Sequence, residues 1–143
     1  MTLADRVKQD LASAMKAGEK DRVGALRLVL SELQKAAKDG GDDEQAVLRR
    51  ERKRRQEAAR AFHDAGRDEL AAGEEAEAEI ISGYLPAELS DEELRGIVAA
   101  AVAETGASSP KDMGQVMKAA MPRVAGRADG KRVSALAQEA LRS

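Results

Sequence analysis

A chain of 143 residues and 15.2 kDa has room for one ordinary domain or two small helical ones, and excludes a multidomain enzyme. Hydrophobic residues make up 43% but aromatics 1%, so the core is aliphatic and Phe62 and Tyr84 are too few to read single-stranded nucleic acid by stacking. A formal net charge of −2 argues against a strongly basic nucleic-acid protein, and the absence of cysteine excludes disulfides, thiol nucleophiles and thiolate metal sites.

Apolar Leu3, Val7, Leu11 and Met15 recur every fourth residue between a Thr2 cap and a Gly18 stop, which predicts a first helix. Asp21 caps or charges the start of a second, whose stripe Val23, Leu26, Leu30 and Leu33 ends before Gly40-Gly41. After the break GGDDE, a charged third helix carries Val47, Leu48, Ala58, Ala59 and Phe62, with six cations between Arg49 and Arg55. The fourth, "RDELAAGEEAEAEIISGYLP", is acidic through Glu74, Glu75, Glu77 and Glu79, and Pro86 stops it. A basic helix followed by an acidic one predicts antiparallel neighbours that neutralise each other.

Ser90 and Glu93 form a capping-box pattern ahead of Leu94, Ile97, Val98, Ala101 and Val102, and Gly106 ends that helix. Ser109, Pro110 and Asp112 open a short helix bearing Met113, Val116, Met117, Ala120 and Met121. Asp129 caps the last one, which buries Val133, Leu136, Ala137, Ala140 and Leu141. No segment alternates with period two, so the predicted fold is all-α: a four-helix N-terminal part over residues 1–86 and a three-helix C-terminal domain over residues 87–143. The opening residues are amphipathic and no apolar run reaches the length of a membrane span, which predicts a cytoplasmic protein without a membrane partner.

The sequence resembles the GatB/YqeY family, closer to its freestanding YqeY-like members than to its fused ones. The resemblance rests on the order and spacing of "DRVGALRLVLSEL", "AFHDAGRDELAAGEEAEAEIISGYLP", "DMGQVMKAAMPRVAGRADGKRV" and the closing "ALAQEAL". It implies a helical N-terminal part and a small three-helix C-terminal domain. The related C-terminal domain forms the tail of the B subunit of the tRNA-dependent Asp/Glu amidotransferase and is fused to some glutaminyl-tRNA synthetases. It therefore implies a tRNA-contacting appendage, and the family's label is carbon–nitrogen ligase with glutamine as amido donor.

Amidotransfer itself needs an activated Ser or Cys nucleophile, an oxyanion hole, and a phosphate cradle with metal ligands. The chain has no cysteine, no Gly-x-Ser-x-Gly and no Walker-type loop. Its sole histidine, His63, sits near a helix end, where a helix dipole or solvent accounts for it. No catalytic residue, cofactor or metal site is expected, and Glu74 to Glu79 read as a solvated or basic-paired face.

Residues 1–89 carry 16 basic and 19 acidic residues, net −3, and residues 90–143 carry 8 and 7, net +1. The positive region of the second half is the turn "GRADGKR" and its flanks. Gly126 suits a left-handed helix end, and Gly130 allows close approach of the backbone at the next helix start. Arg127, Lys131 and Arg132 supply donors beside exposed amides, with Lys118 and Arg123 at the rim, so an RNA phosphate fits. The competing reading is a helical corner whose cations serve solubility, with Asp129 already occupying the amides. Gly114 is expected under close helix packing, with close approach of an RNA backbone as its other reading, and the run Arg49 to Arg55 as a solvated or internally paired face, with RNA contact as the lesser reading.

The expectation is a noncatalytic accessory module that contacts tRNA or a tRNA-bound enzyme by shape and phosphate, without DNA. Reversing the charge of Arg127 and Arg132 is then expected to weaken tRNA binding and leave melting intact. The alternative is a protein–protein interaction module without RNA affinity.

Overall fold

In a computed structural model, residues 1–40 and 43–142 are described; Gly41 and Asp42 of the GGDDE break, and Ser143, lie outside them. The described residues form seven α-helices and a 3₁₀ turn, with no strand: α1 Leu3–Ala17, α2 Lys20–Lys38, α3 Glu44–Asp64, α4 Asp68–Ser82, α5 Asp91–Thr105, the 3₁₀ turn Pro110–Asp112, α6 Met113–Val124 and α7 Gly130–Arg142. They form two compact units, Met1–Pro86 and the remainder from Ala87 onward. No described helix is long and apolar enough to cross a membrane.

In the first unit, Thr2 caps α1 through a reciprocal pair with Asp5, and Gly18 closes it at φ 72°. A second cap comes from afar: the Glu44 carboxylate receives Leu3 N at 3.0 Å and Ala4 N at 2.9 Å. These amides have no intrahelical acceptor, and a carboxylate also suits the positive end of the helix. α2 starts at Lys20 with Asp21 in its first turn, and the residue before it makes no side-chain cap. It buries Ala25, Leu26, Val29 and Leu33, whereas Val23 and Leu30 of the expected stripe are half-buried. The core joins Val7, Leu26, Val29, Leu48, Ile81 and Tyr84. Burial of each large aliphatic side chain contributes about 1.5–3 kcal/mol.

α3 and α4 form an antiparallel pair, since the α4 partner number falls as the α3 number rises. Arg52 donates to Ser82 Oγ at 3.3 Å, Arg55 Nε lies 3.4 Å from Glu77, and His63 Nδ1 lies 2.8 Å from Asp68. The expected neutralisation of a basic helix by an acidic one is therefore centred on Arg55, which also meets Glu74 and Glu51, each at 3.6 Å. α4 ends at Ser82, before Pro86, and turn bonds from Tyr84 N to Ile81 O and from Leu85 N to Ser82 O carry the chain onward.

The second unit packs α5, α6 and α7 around Leu94, Val98, Val116, Ala120, Val124 and Val133, all at most 1% exposed. Ser90 and Glu93 make the expected capping box, and Gly106 ends α5 at φ 69°. Pro110 opens a 3₁₀ turn ahead of α6, where Asp112 Oδ2 receives the amides of Ser108 and Ser109. Met113 and Met117 pack partly buried against the core, while Met121 is exposed. Gly114 departs from expectation. It is exposed, and a Cβ built there would meet nothing within 4 Å, so close helix packing does not account for it.

Candidate anion-binding turn of the second unit

The turn between α6 and α7 reverses the chain in five residues, 125–129. Ala125 and Gly126 both take the left-handed conformation, at φ 51° and 77°. Glycine meets this without penalty, whereas Ala125 carries a Cβ into a region costing about 1 kcal/mol. Ala128 then folds back into the core beside Leu89, Val124 and Val133. Asp129 Oδ1 accepts Lys131 N at 3.0 Å, and its main-chain oxygen accepts Arg132 N and Val133 N. The aspartate thus caps α7 and occupies one of the amides that a phosphate would use.

The segment that enters the unit runs beside this turn. Leu89 N donates to Arg127 O at 2.8 Å, and Arg127 Nε donates to Ala87 O at 2.9 Å. Arg132 Nη2 donates to Leu89 O at 2.9 Å and to Asp91 Oδ1 at 2.8 Å, with Glu88 3.8 Å from Nη1. The guanidinium of Arg132 holds the Asp91 carboxyl below the usual carboxylate range, first by this hydrogen bond and then by its charge. Glu93 is held low chiefly by the Ser90 amide and hydroxyl, with a smaller contribution from the charge of Arg127.

The seven residues singled out in the sequence therefore separate. Gly126, Arg127, Gly130, Lys131 and Arg132 share the turn and the first turn of α7; Arg123 lies in the last turn of α6 and Lys118 further back on the same helix. Arg123 is bonded to Glu104 of α5, and Arg127 and Arg132 hold main-chain carbonyls of residues 87 and 89. Lys118 and Lys131 are exposed, and their ammonium groups make no hydrogen bond or ion pair among the described residues. Gly130 has open space where a Cβ would stand, so nothing within the unit requires a glycine there.

This geometry corrects one expectation. Reversing the charge of Arg127 and Arg132 places carboxylates against carbonyl oxygens and Asp91, so it disturbs the fold as well as any ligand. Sequence reading missed the partners of the two arginines. Their one local signal was the acidic group Glu88, Asp91 and Glu93 some forty residues earlier, and spacing alone does not pair it with the turn.

The sequence model of a family described as Yqey-like protein matches residues 4–141, nearly the whole chain. No curated protein matches it.

Proposed function

Since the chain belongs to the YqeY-like family, we propose that it is a noncatalytic accessory protein that associates with tRNA through the α6–α7 side of its second unit. The observation that carries this reading is a pair of exposed ammonium groups without partners among the described residues: that of Lys131, next to Gly130 whose open space lets a backbone approach, and that of Lys118, further back on α6. Phosphate is the chemistry that such cations and a helix start accept. Arg127 contributes the donors it does not spend on Ala87, while Arg132 and Arg123 shape the surface from within. The resemblance to the tail domain of a tRNA-dependent amidotransferase supports the choice of tRNA.

The test is a titration of labelled bulk tRNA with the full chain at two salt concentrations, comparing Lys118→Gln/Lys131→Gln with the parent. Saturable binding that weakens with salt and weakens again in the double variant is expected. Binding unchanged in the variant rejects the turn as the contact. A second reading, a protein-docking module without RNA affinity, draws on the internal commitment of Arg123, Arg127 and Arg132. It predicts no tRNA binding at low salt and a partner that stays bound after nuclease treatment.

A further inference from the structure

Packing sorts the six cations between Arg49 and Arg55 into two sets. Arg52 is buried against Ser82, and Arg55 is drawn into the carboxylates of Glu51, Glu74 and Glu77. Arg49, Arg50, Lys53 and Arg54 lie on the solvent side of α3, and Arg60 continues that side toward its end; Arg49 is half-buried and the other four are exposed. At 1.5 Å per residue this face runs about 16 Å from Arg49 to Arg60. Glu57 is the one exposed carboxylate within it, because Glu51 is turned inward. The acids of α4 that neutralise Arg55 act on the buried side.

Arg54 makes this more than a solvated stripe. Its side chain is 69% exposed, yet Nη1 is held 3.1 Å from Oε1 of Glu51, whose own side chain is only 7% exposed. A buried carboxylate thus fixes one edge of an exposed guanidinium and leaves its other nitrogens without partners among the described residues. A guanidinium ordered in advance loses less rotamer entropy when it grips a second anion. Arg49 and Arg60 likewise have no partner among the described residues.

The same face says what that anion is. Between Arg49 and Arg60 it exposes no aromatic and no large aliphatic side chain. Base stacking therefore has no platform, and insertion into a lipid interface has no apolar side to drive it. What remains is a broad cationic face, with Arg49 and Arg60 along one line of the helix and Arg54 about a third of a turn around it, which a phosphate backbone can cross. We infer that the solvent face of α3 is a second binding surface of this protein, which takes the phosphodiester backbone of a nucleic acid through Arg49, Arg54 and Arg60. It lies on the first unit and uses none of the residues of the α6–α7 turn.

The experiment uses the full chain and five forms: the parent, Arg60→Gln, Arg54→Gln/Arg60→Gln, Lys118→Gln/Lys131→Gln, and all four substitutions together. Arg54 leaves Glu51 paired with Arg55, and Arg60→Gln alone, which removes no internal bond among the described residues, serves as the form that cannot fail by misfolding. Each is titrated with labelled bulk tRNA, with duplex DNA and with phosphatidylserine vesicles over a range of salt, with helicity checked by circular dichroism.

Removing Arg54 and Arg60 is expected to weaken nucleic-acid binding on the order of tenfold at low salt, and to flatten the log–log salt dependence by about 1 to 2. The tRNA and DNA arms show which backbone the face prefers. Loss in this variant with none in Lys118→Gln/Lys131→Gln keeps the α3 surface and removes the turn; the reverse result overturns the α3 surface and keeps the turn. Unchanged affinity and slope without Arg54 and Arg60, or binding to vesicles in place of nucleic acid, also overturns it.

Discussion

Tyr84 donates its hydroxyl proton to the carboxylate of Asp10, joining the last residues of the first unit to its first helix across 74 positions. The ring is buried in the core, and the Arg6 guanidinium carbon sits 5.2 Å above its centroid. One side chain therefore supplies an apolar ring, a hydrogen-bond donor and a face for a cation. Tyr84→Phe keeps the ring and deletes the donor, leaving a part-buried carboxylate short of a partner. We expect a loss of about 1–2 kcal/mol in urea unfolding, and a smaller further loss when Asp10→Asn is added, because the two changes delete one interaction.

The same phenol makes an alkaline prediction. Burial first, and then the bond to Asp10, raise the Tyr84 pKa above its ordinary value of 10.0. A raised folded value means that the stabilisation is complete below the unfolded value and is lost as pH climbs above it. Tyr84 is the sole tyrosine and there is no tryptophan, so phenolate absorbance reports this one group. Ionisation is expected to occur only together with loss of helicity above pH 10. A free titration near the ordinary value, with helicity intact, contradicts the buried and bonded phenol.

Arg132 supplies the corresponding tie in the second unit. Arg132→Gln removes a charged donor from the part-buried Leu89 O, at a cost of about 1.5–3 kcal/mol, and also frees the exposed Asp91. Asp91→Asn leaves the bond to Leu89 and is expected to cost less. Since Arg132 holds the Asp91 pKa low, that ion pair stabilises above the unfolded carboxylate value and is lost as pH falls through the folded one. Thermal melts of the two variants at neutral pH and near pH 3 check both the ranking and the sign. Equal melting of Arg132→Gln and the parent at neutral pH removes the tie.

The parts of this architecture that were legible in the sequence are those written locally. Thr2 and the pair Ser90 and Glu93 mark helix starts through side chains that reach three residues along, and Gly18 and Gly106 mark ends by their freedom at positive φ. What escaped is set by partners distant in the chain. Glu44 caps α1 from some forty residues away, and α2 buries Ala25 and Val29 more deeply than Val23 and Leu30, which still pack against the core, because it is packed by more than one neighbour. The candidate turn was visible as glycines and cations, but not that three of its arginines are spent internally, nor that Ala125, with no local preference for it, takes a left-handed conformation.

That conformation and the open space at Gly114 give opposite substitutions with the same expected sign. Ala125→Gly removes the Cβ from a left-handed position and is expected to raise stability by about 0.5–1 kcal/mol. Gly114→Ala adds a Cβ where nothing lies within 4 Å, near the start of a helix, and is expected to raise it by up to about 1 kcal/mol. Chemical unfolding of each single variant decides the matter, and a loss of stability in Gly114→Ala shows that the open site is filled by something else. If Gly114→Ala gains stability and weakens tRNA binding, the glycine is explained by close approach of the ligand.

At the corner of α3 and α4, His63 reaches Asp68 through Nδ1 at 2.8 Å and Glu75 through Nε2 at 3.4 Å. The hydrogen bond with Asp68 is the main cause of a pKa raised above 6.5, and the charges of Asp68 and Glu75 add to it. The imidazolium therefore joins the last turn of α3 to the acidic side of α4, where it also faces the negative end of its own helix. With the folded pKa raised, this stabilisation is complete below pH 6.5 and disappears as pH rises through the folded value. As the single histidine, its imidazole resonances are readable without assignment. Their midpoint is expected above 6.5 in the parent, to fall toward 6.5 in Asp68→Asn, and to fall less in Glu75→Gln. A midpoint at or below 6.5 in the parent leaves the corner held by backbone bonds alone.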